Sequence, residues 1–119
     1  MDTPHPPLVA QFLEHLDLER NYSAHTVRCY AADLRQFCGF LAARPEAAGG
    51  LDAALPAISP TTVRAYLAWL RTAGYHKATV ARKLACLRSF FKWLVRTERI
   101  LASPVSVVRT PKQDRRLPK

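Results

Sequence analysis

Apolar residues recur every three or four positions through most of this chain, and that spacing restricts its fold more than any other feature. In the two clearest segments they are Val27, Tyr30, Leu34, Phe37 and Leu41, and then Val80, Leu84, Leu87, Phe91 and Leu94. Residues at these intervals lie on one face of an α-helix, whereas a half-buried strand needs an interval of two. The pattern therefore predicts an all-α fold in which each helix packs one apolar stripe against a shared core.

Serine, proline and glycine residues predict where the helices begin and end. Ser23 and Ser59 suit N-cap positions, Pro60 suits a first helical turn, and Gly74 suits a helix end. With the apolar stripes they predict helices over residues 6–20, 23–43, 59–74 and 77–97, and a short fifth helix or turn near residue 100. Residues 44–60 contain three prolines and two glycines and are predicted to form a long connection, the most mobile segment of the chain.

The charge of the chain is divided unevenly between its two halves. Residues 1–60 contain four basic and seven acidic residues, whereas residues 61–119 contain fourteen basic and two acidic ones. The net charges are therefore −3 and +12, which sum to the +9 of the whole chain. Such polarisation is typical of proteins that bind a polyanion, with nucleic acid as the first candidate and an acidic membrane surface as the second. A solvated basic surface without a partner is the alternative.

Residues that support catalysis or metal binding do not occur at the required spacings. Cys29 and Cys38 are nine residues apart on one predicted helix, so their side chains point in opposite directions and cannot share a metal. Only Glu98 and Asp114 supply carboxylates beyond residue 60, and no phosphate-binding glycine loop or nucleophile motif occurs. We predict a chain without enzymatic activity, cofactor or metal, in which the cysteines are core or groove-lining thiols.

The sequence also indicates a location. No apolar run approaches the roughly 18 residues of a membrane-spanning helix, and the N-terminal residues lack the basic and apolar segments of a secretory signal. The chain contains three cysteines, an odd number that fits a reducing cytosol better than a disulfide framework. We therefore expect a cytoplasmic protein that does not contact a membrane.

The polar faces of the second and fourth predicted helices are the candidate DNA-binding surfaces. A helix about 10 Å wide fits the major groove of about 12 Å, where an arginine near the helix start can reach a guanine edge and neighbouring lysines reach phosphates. The start of the second helix adds backbone N–H groups and a positive dipole end, where a phosphate can bind. For each residue the alternative is a solvated charge, which we favour for Arg35 and Arg96, further along their helices. The candidate contacts are Ser23, His25, Thr26 and Arg28, then Lys77, Thr79, Arg82, Lys83 and Arg88, and in the basic C-terminal segment Lys112, Arg115 and Arg116.

Three parts of the chain resemble the N-terminal domain of the Xer-type tyrosine recombinases. Residues 23–37 read Ser-x-x-Thr-x-x-x-Tyr-x-x-Asp-Leu-x-x-Phe, which resembles the opening helices of that family, and residues 81–95 resemble its fourth helix. The Ser-Pro-Val sequence at 103–105 and the basic segment after it resemble the exit of these proteins into their interdomain linker. The resemblance covers essentially the whole chain from Leu8 onward.

This resemblance implies a compact four- to five-helix, SAM-like core-binding domain at residues 1–108, followed by the start of an extended basic linker at residues 109–119. Such a domain forms half of a clamp around duplex DNA, with its second and fourth helices at the major groove. The family's catalytic side chains and nucleophilic tyrosine lie in a second domain beyond the linker, which is absent from this sequence. The resemblance further implies that the full-length protein assembles with other recombinase subunits on DNA.

Individual residues can be matched to the family pattern. Ser23 and Thr26 correspond to the phosphate-binding helix start, and Arg28 to the residue that faces the groove. Arg82 corresponds to the arginine of the family's fourth helix. The sequence departs from the pattern at His76, because relatives often have a capping serine or alanine in this region.

Two other classes of function stay open at this point. One is a free-standing helical DNA-binding regulator with a helix-turn-helix, although the second predicted helix is far longer than a usual recognition helix. The other is a helical interaction module that binds an acidic partner. An open reading frame that continues into a catalytic domain would favour the recombinase over both.

Overall fold

The computed structural model describes residues 5–19, 21–47 and 49–110, and within these ranges the protein is built from helices without strands. Two single-turn 3₁₀ helices, at Pro45–Ala47 and Leu55–Ala57, flank the shortest α-helix. The predicted all-α fold is confirmed, and the four long helices end within about two residues of their predicted bounds. The α-helices are α1 (Pro7–Leu18), α2 (Ala24–Ala42), α3 (Leu51–Ala54), α4 (Pro60–Thr72) and α5 (Lys77–Arg96).

Side-chain hydrogen bonds begin α2 and α4 as the sequence predicts. The Ser23 hydroxyl accepts a hydrogen bond from the Thr26 backbone N–H at 3.1 Å. The hydroxyl of Ser59 likewise accepts from the backbone N–H of Thr62 at 3.3 Å, while the Ser59 N–H donates to the Thr62 hydroxyl at 3.2 Å. These bonds satisfy backbone groups that have no partner inside a helix. By contrast, the N-cap residue of α5 is His76, whose side chain makes no capping hydrogen bond.

The core is organised around α5, which packs against α1, α2 and α4. Its five predicted stripe residues are at most 1% exposed. Aromatic rings join the other helices to it: the Phe12 ring of α1 lies 5.3 Å from the Phe90 ring between centroids, and the Phe37 ring of α2 lies 6.2 Å from the Phe91 ring. Both contacts have the edge-on geometry that aromatic pairs prefer. The resulting core holds α2 and α5, the two helices with candidate DNA contacts, side by side.

The connection between α2 and α4 is folded against the core, which corrects the prediction of a long mobile segment. Leu51, Ala54, Leu55 and Ile58 are all buried, and α3 packs on α2. Because α3 is a single turn, it is too short to produce a visible helical period. The apolar spacing of four and three from Leu51 to Ile58 was the available signal for burial.

After α5 the chain forms turns. Of the short helix or turn predicted near residue 100, the structure contains the turn. Val105 and Val108 insert into the core, while Leu101 is fully exposed. The chain therefore returns along the body of the domain before residue 110. The predicted interdomain linker stays a prediction, because residues 111–119 lie outside the described ranges.

Candidate nucleic-acid interface

The outward side of α5 is a continuous line of cations and small residues. Arg82, Ala85, Lys92 and Arg96 are exposed and Ser89 is half-buried, all on the side of the helix opposite the core. Residues three and four apart are neighbours on a helix surface, so these five follow the helix axis. The 20 residues of α5 include six cations and no carboxylate, over a length of about 30 Å. This surface is a positively charged helix face with only the small side chains of Ala85 and Ser89 at its centre.

The outward side of α2 has a similar composition. His25, Arg28 and Arg35 are exposed there, with the small exposed residues Ala32 between the two arginines and Gly39 one turn after Arg35. The imidazole Nε2 of His25 lies 3.6 Å from the Cys29 sulfur. At the start of this helix the Thr26 N–H already donates a hydrogen bond to the Ser23 hydroxyl. The first two backbone N–H groups of α2 have no acceptor within the helix. The phosphate site predicted there is therefore limited to these two groups.

A buried carboxylate joins α2 to α5. Asp33 is 4% exposed. Its Oδ2 accepts a hydrogen bond from Arg82 Nη1 at 2.8 Å, and its Oδ1 accepts one from Lys83 Nζ at 2.9 Å. We call these three residues the Asp33 ion-pair cluster. Because both carboxylate oxygens are engaged by α5, the cluster fixes how the two helices lie against each other.

Lys83 is predicted from the sequence to contact DNA, and the structure corrects this prediction. The side chain is 9% exposed and its ammonium is bonded to Asp33. The ammonium also lies 5.2 Å from the centroid of the Tyr75 ring, within range of a cation–π interaction. A buried ammonium cannot leave its counter-ion for a phosphate without a large loss of stability. Lys83 therefore belongs to the interior of the domain.

Arg88 also has an internal role that the sequence did not indicate. Its Nη2 donates to the Val108 carbonyl at 2.7 Å and its Nη1 donates to the Thr110 hydroxyl at 2.6 Å. The guanidinium thus anchors the C-terminal end of the described chain to α5. These two bonds use two of the five N–H donors of the guanidinium, so the predicted DNA contact of Arg88 stays a prediction.

Arg82 differs from both residues in its exposure. More than half of its side chain, 54%, is accessible to solvent although it is paired with Asp33. A guanidinium has five N–H donors in a planar arrangement, so one bond to Asp33 leaves donors for a ligand. Since Arg82 is exposed and contacts α2, it lies where the outward sides of the two helices meet.

The other predicted contacts are distributed around these two helices. Lys112, Arg115 and Arg116 lie outside the described residues, so the structure gives them no position. The remaining ones are near the starts of α2 and α5, where Ser23, His25, Arg28 and Lys77 are exposed and Thr26 and Thr79 are half-buried.

The Asp33 ion-pair cluster is the feature of the candidate interface that the sequence analysis did not predict. Asp33 lies three residues after Tyr30 and four before Phe37, within the apolar stripe of α2. Lys83 lies three residues after Val80 and four before Leu87, in the same relation to the stripe of α5. A charge on the buried face of a helix needs a counter-ion, so these two positions together were a signal of an internal ion pair.

Burial suppresses the ionisation of two thiols and one phenol in the part of the chain that the structure describes. Burial raises the pKa of the Cys38 thiol to about 11. Burial also raises the pKa of Cys86 and Tyr66 above the ordinary values of a thiol and a phenol. These groups therefore keep their protons at neutral pH and are weak nucleophiles. The described residues contain no cluster of three or more potential metal ligands, and none of their helices could span a bilayer.

Comparison with known proteins identifies one family model and a group of similar proteins. Residues 9–98 match the family model described as "Phage integrase, N-terminal SAM-like domain". The chain is similar to proteins named tyrosine recombinase XerC, with 40% identity over 115 residues in Pelobacter propionicus, 39% over 113 in Chlorobaculum parvum and 38% over 113 in Myxococcus xanthus. These alignments cover 94%, 91% and 95% of this chain but only 36%, 32% and 35% of the relatives, so the chain spans about a third of their length. No solved structure matches it.

Proposed function

The chain belongs to the family of phage integrase N-terminal SAM-like domains, and on that basis we propose that it binds duplex DNA as the non-catalytic N-terminal part of a Xer-type tyrosine recombinase. The family match carries the proposal, because residues 9–98 include α2 to α5 and most of α1. The named relatives are tyrosine recombinases about three times as long as this chain, so we assign recombination chemistry to the rest of such a protein. In the cytoplasm, other recombinase subunits would bind the same DNA beside it.

The charge of the two helices supports DNA over an acidic protein as the partner. Arg28 and Arg35 on α2, and Arg82, Lys92 and Arg96 on α5, are all exposed cations on helices that pack against each other. Their spacing along two long helices suits the regular charge of a duplex, which carries one phosphate per about 1.7 Å of axis. The small residues Ala85 and Ser89 on α5 allow the helix backbone to approach the base edges of a major groove.

Within this surface we assign base reading to Arg82 and to Arg28, near the start of α2, and phosphate binding to Lys92. Arg82 is held by Asp33, so its remaining N–H donors have a defined direction. Direct readout needs such a direction, because one displaced donor loses the bidentate contact with a guanine edge. Lys92 is a flexible point charge on the same face, which suits a phosphate. The phosphate role of Lys112, Arg115 and Arg116 rests on their sequence alone.

We expect this chain to bind duplex DNA weakly and with a strong dependence on salt. A surface with about four to six phosphate contacts releases a similar number of counter-ions, so log K should fall against log salt with a slope of about −4 to −5. Titration of a labelled duplex by fluorescence anisotropy at several salt concentrations measures the slope. The variant Arg116→Ala, which removes one predicted phosphate contact, should reduce the slope by about one. A slope near zero for the unmodified chain would contradict the proposed function.

Replacing Arg82 and replacing a phosphate-binding cation should have different consequences. Arg82→Ala is expected to lower affinity for a selected duplex by about 1–3 kcal/mol and to change affinity for random DNA much less. Lys92→Ala, on the same helix, and Arg116→Ala, in the basic C-terminal segment, should weaken both duplexes equally. The measurement is a paired titration of each variant at one salt concentration, on random DNA and on a duplex that the unmodified chain selects from a random pool. Equal weakening of both duplexes by Arg82→Ala would assign this arginine to phosphate binding.

A further inference from the structure

We propose that Asp33 is a positioning residue for DNA recognition, which fixes the guanidinium of Arg82 in the direction that meets the base edges. The proposal rests on the proposed DNA-binding function and adds to it a residue that cannot itself touch DNA. Asp33 is 4% exposed, so its carboxylate is enclosed by the domain. It can act on a ligand only through Arg82, whose side chain is exposed.

The geometry of the Asp33 ion-pair cluster is suited to this role. An exposed arginine samples many rotamers, and the entropy lost on ordering it reduces the affinity of any complex that uses it. The bond of 2.8 Å between Arg82 Nη1 and Asp33 Oδ2 orders the side chain before a ligand arrives. The carboxylate cannot turn away, because Lys83 Nζ occupies its other oxygen at 2.9 Å.

A second set of contacts holds Lys83, and through it Asp33, in place. The Lys83 ammonium lies against the Tyr75 ring in the turn that leads into α5. The Tyr75 hydroxyl in turn accepts a hydrogen bond of 2.9 Å from Gln36 Nε2, and Gln36 lies on α2, three residues after Asp33. The Gln36 amide oxygen accepts a hydrogen bond from the hydroxyl of Tyr66, which is 1% exposed. Contacts therefore run without a break from the buried core to Arg82.

Charge alone predicts the opposite effect of removing Asp33. The carboxylate is a negative charge beneath a surface that would face phosphates, so its loss raises the net charge of the domain by one. If Asp33 had only this electrostatic effect, its removal would strengthen binding to every duplex and steepen the salt dependence. If Asp33 positions Arg82, its removal weakens binding to the selected duplex alone. The sign of the change therefore separates the two roles.

The test compares two variants that differ only at residue 33. Lys83→Met leaves the bond between Arg82 and Asp33 in place, whereas Asp33→Ala combined with Lys83→Met removes the acceptor without leaving a buried ammonium unpaired. The probes are the duplex selected from a random pool by the unmodified chain, and a random duplex of equal length. We expect the second variant to bind the selected duplex on the order of tenfold more weakly than the first, within the range of one bidentate arginine contact. Its affinity for the random duplex should be unchanged or higher.

Arg82→Ala provides the control for the route of the effect. When Arg82 is already alanine, Asp33→Ala should no longer change the ratio between the affinities for the selected and the random duplex, because the arginine that Asp33 positions is absent. Circular dichroism at the titration temperature establishes that each variant is folded. Equal affinity of the two residue-33 variants for the selected duplex, or tighter binding of both duplexes without Asp33, would overturn the proposal. Failure of the unmodified chain to bind any duplex would instead overturn the proposed function.

Discussion

Asp33→Ala alone is expected to lower the free energy of unfolding by about 3–5 kcal/mol, because it leaves the buried ammonium of Lys83 without its counter-ion. The loss is a large fraction of the roughly 5–15 kcal/mol that stabilises a typical domain. Most of it should come from Lys83, since the Arg82 side chain is more than half exposed and can be hydrated. Urea denaturation followed by circular dichroism measures the change.

A second substitution identifies the buried charge as the cause. Adding Lys83→Met to Asp33→Ala removes the unpaired ammonium and replaces it with an apolar side chain of similar length, so much of the lost stability should return. Lys83→Met alone keeps Asp33 paired with Arg82 and serves as the reference. If the double variant were as unstable as Asp33→Ala, the loss would come from a different contact of the carboxylate.

Phe12→Ala is expected to destabilise the domain by about 3–5 kcal/mol through the cavity it creates. Phe12 is 2% exposed, and its ring lies 5.3 Å from the Phe90 ring and 5.5 Å from the Trp93 ring between centroids. The substitution therefore removes the main aromatic contact between α1 and α5. The readout is again the free energy of unfolding from urea denaturation.

The matched control for this substitution lies on the same helix. Leu18 is 80% exposed, so Leu18→Ala should change the free energy of unfolding by no more than about 0.5 kcal/mol. Both substitutions shorten an apolar side chain to alanine in α1 and differ mainly in burial. A similar loss from both would contradict the assignment of the Phe12 effect to burial in the core.

The long helices could be predicted because their signals are local. Ser23, Ser59 and Gly74 are boundary residues whose preferred backbone conformations depend on a few neighbours, and each apolar stripe lies within one helix. The fold of residues 45–58 could not be predicted in the same way. Its single helical turn is stabilised by burial of Leu51 and Ile58 against the rest of the domain, and the apolar spacing there covers too few residues to distinguish a packed segment from an exposed connection.

The candidate interface was predicted less completely, because an isolated helix does not reveal which cations have internal partners. Lys83 and Arg82 are adjacent in sequence and both charged, yet one is buried and the other exposed. The distinction depends on Asp33, which is 50 residues away from Lys83 along the chain. Arg88 shows the same limitation, since its acceptors at Val108 and Thr110 are 20 and 22 residues away.

The separation between the outward and the buried residues of α5 determines which positions can change without loss of stability. Ala85 and Lys92 are exposed and have no part in the core, so under the proposed function mutations there would alter DNA recognition while the domain keeps its stability. Asp33 and Lys83 lack this freedom, because replacing either one leaves the other as a buried charge without its closest counter-ion. Divergence between lineages should therefore accumulate first at positions 85 and 92, whereas residues 33 and 83 should be inherited together.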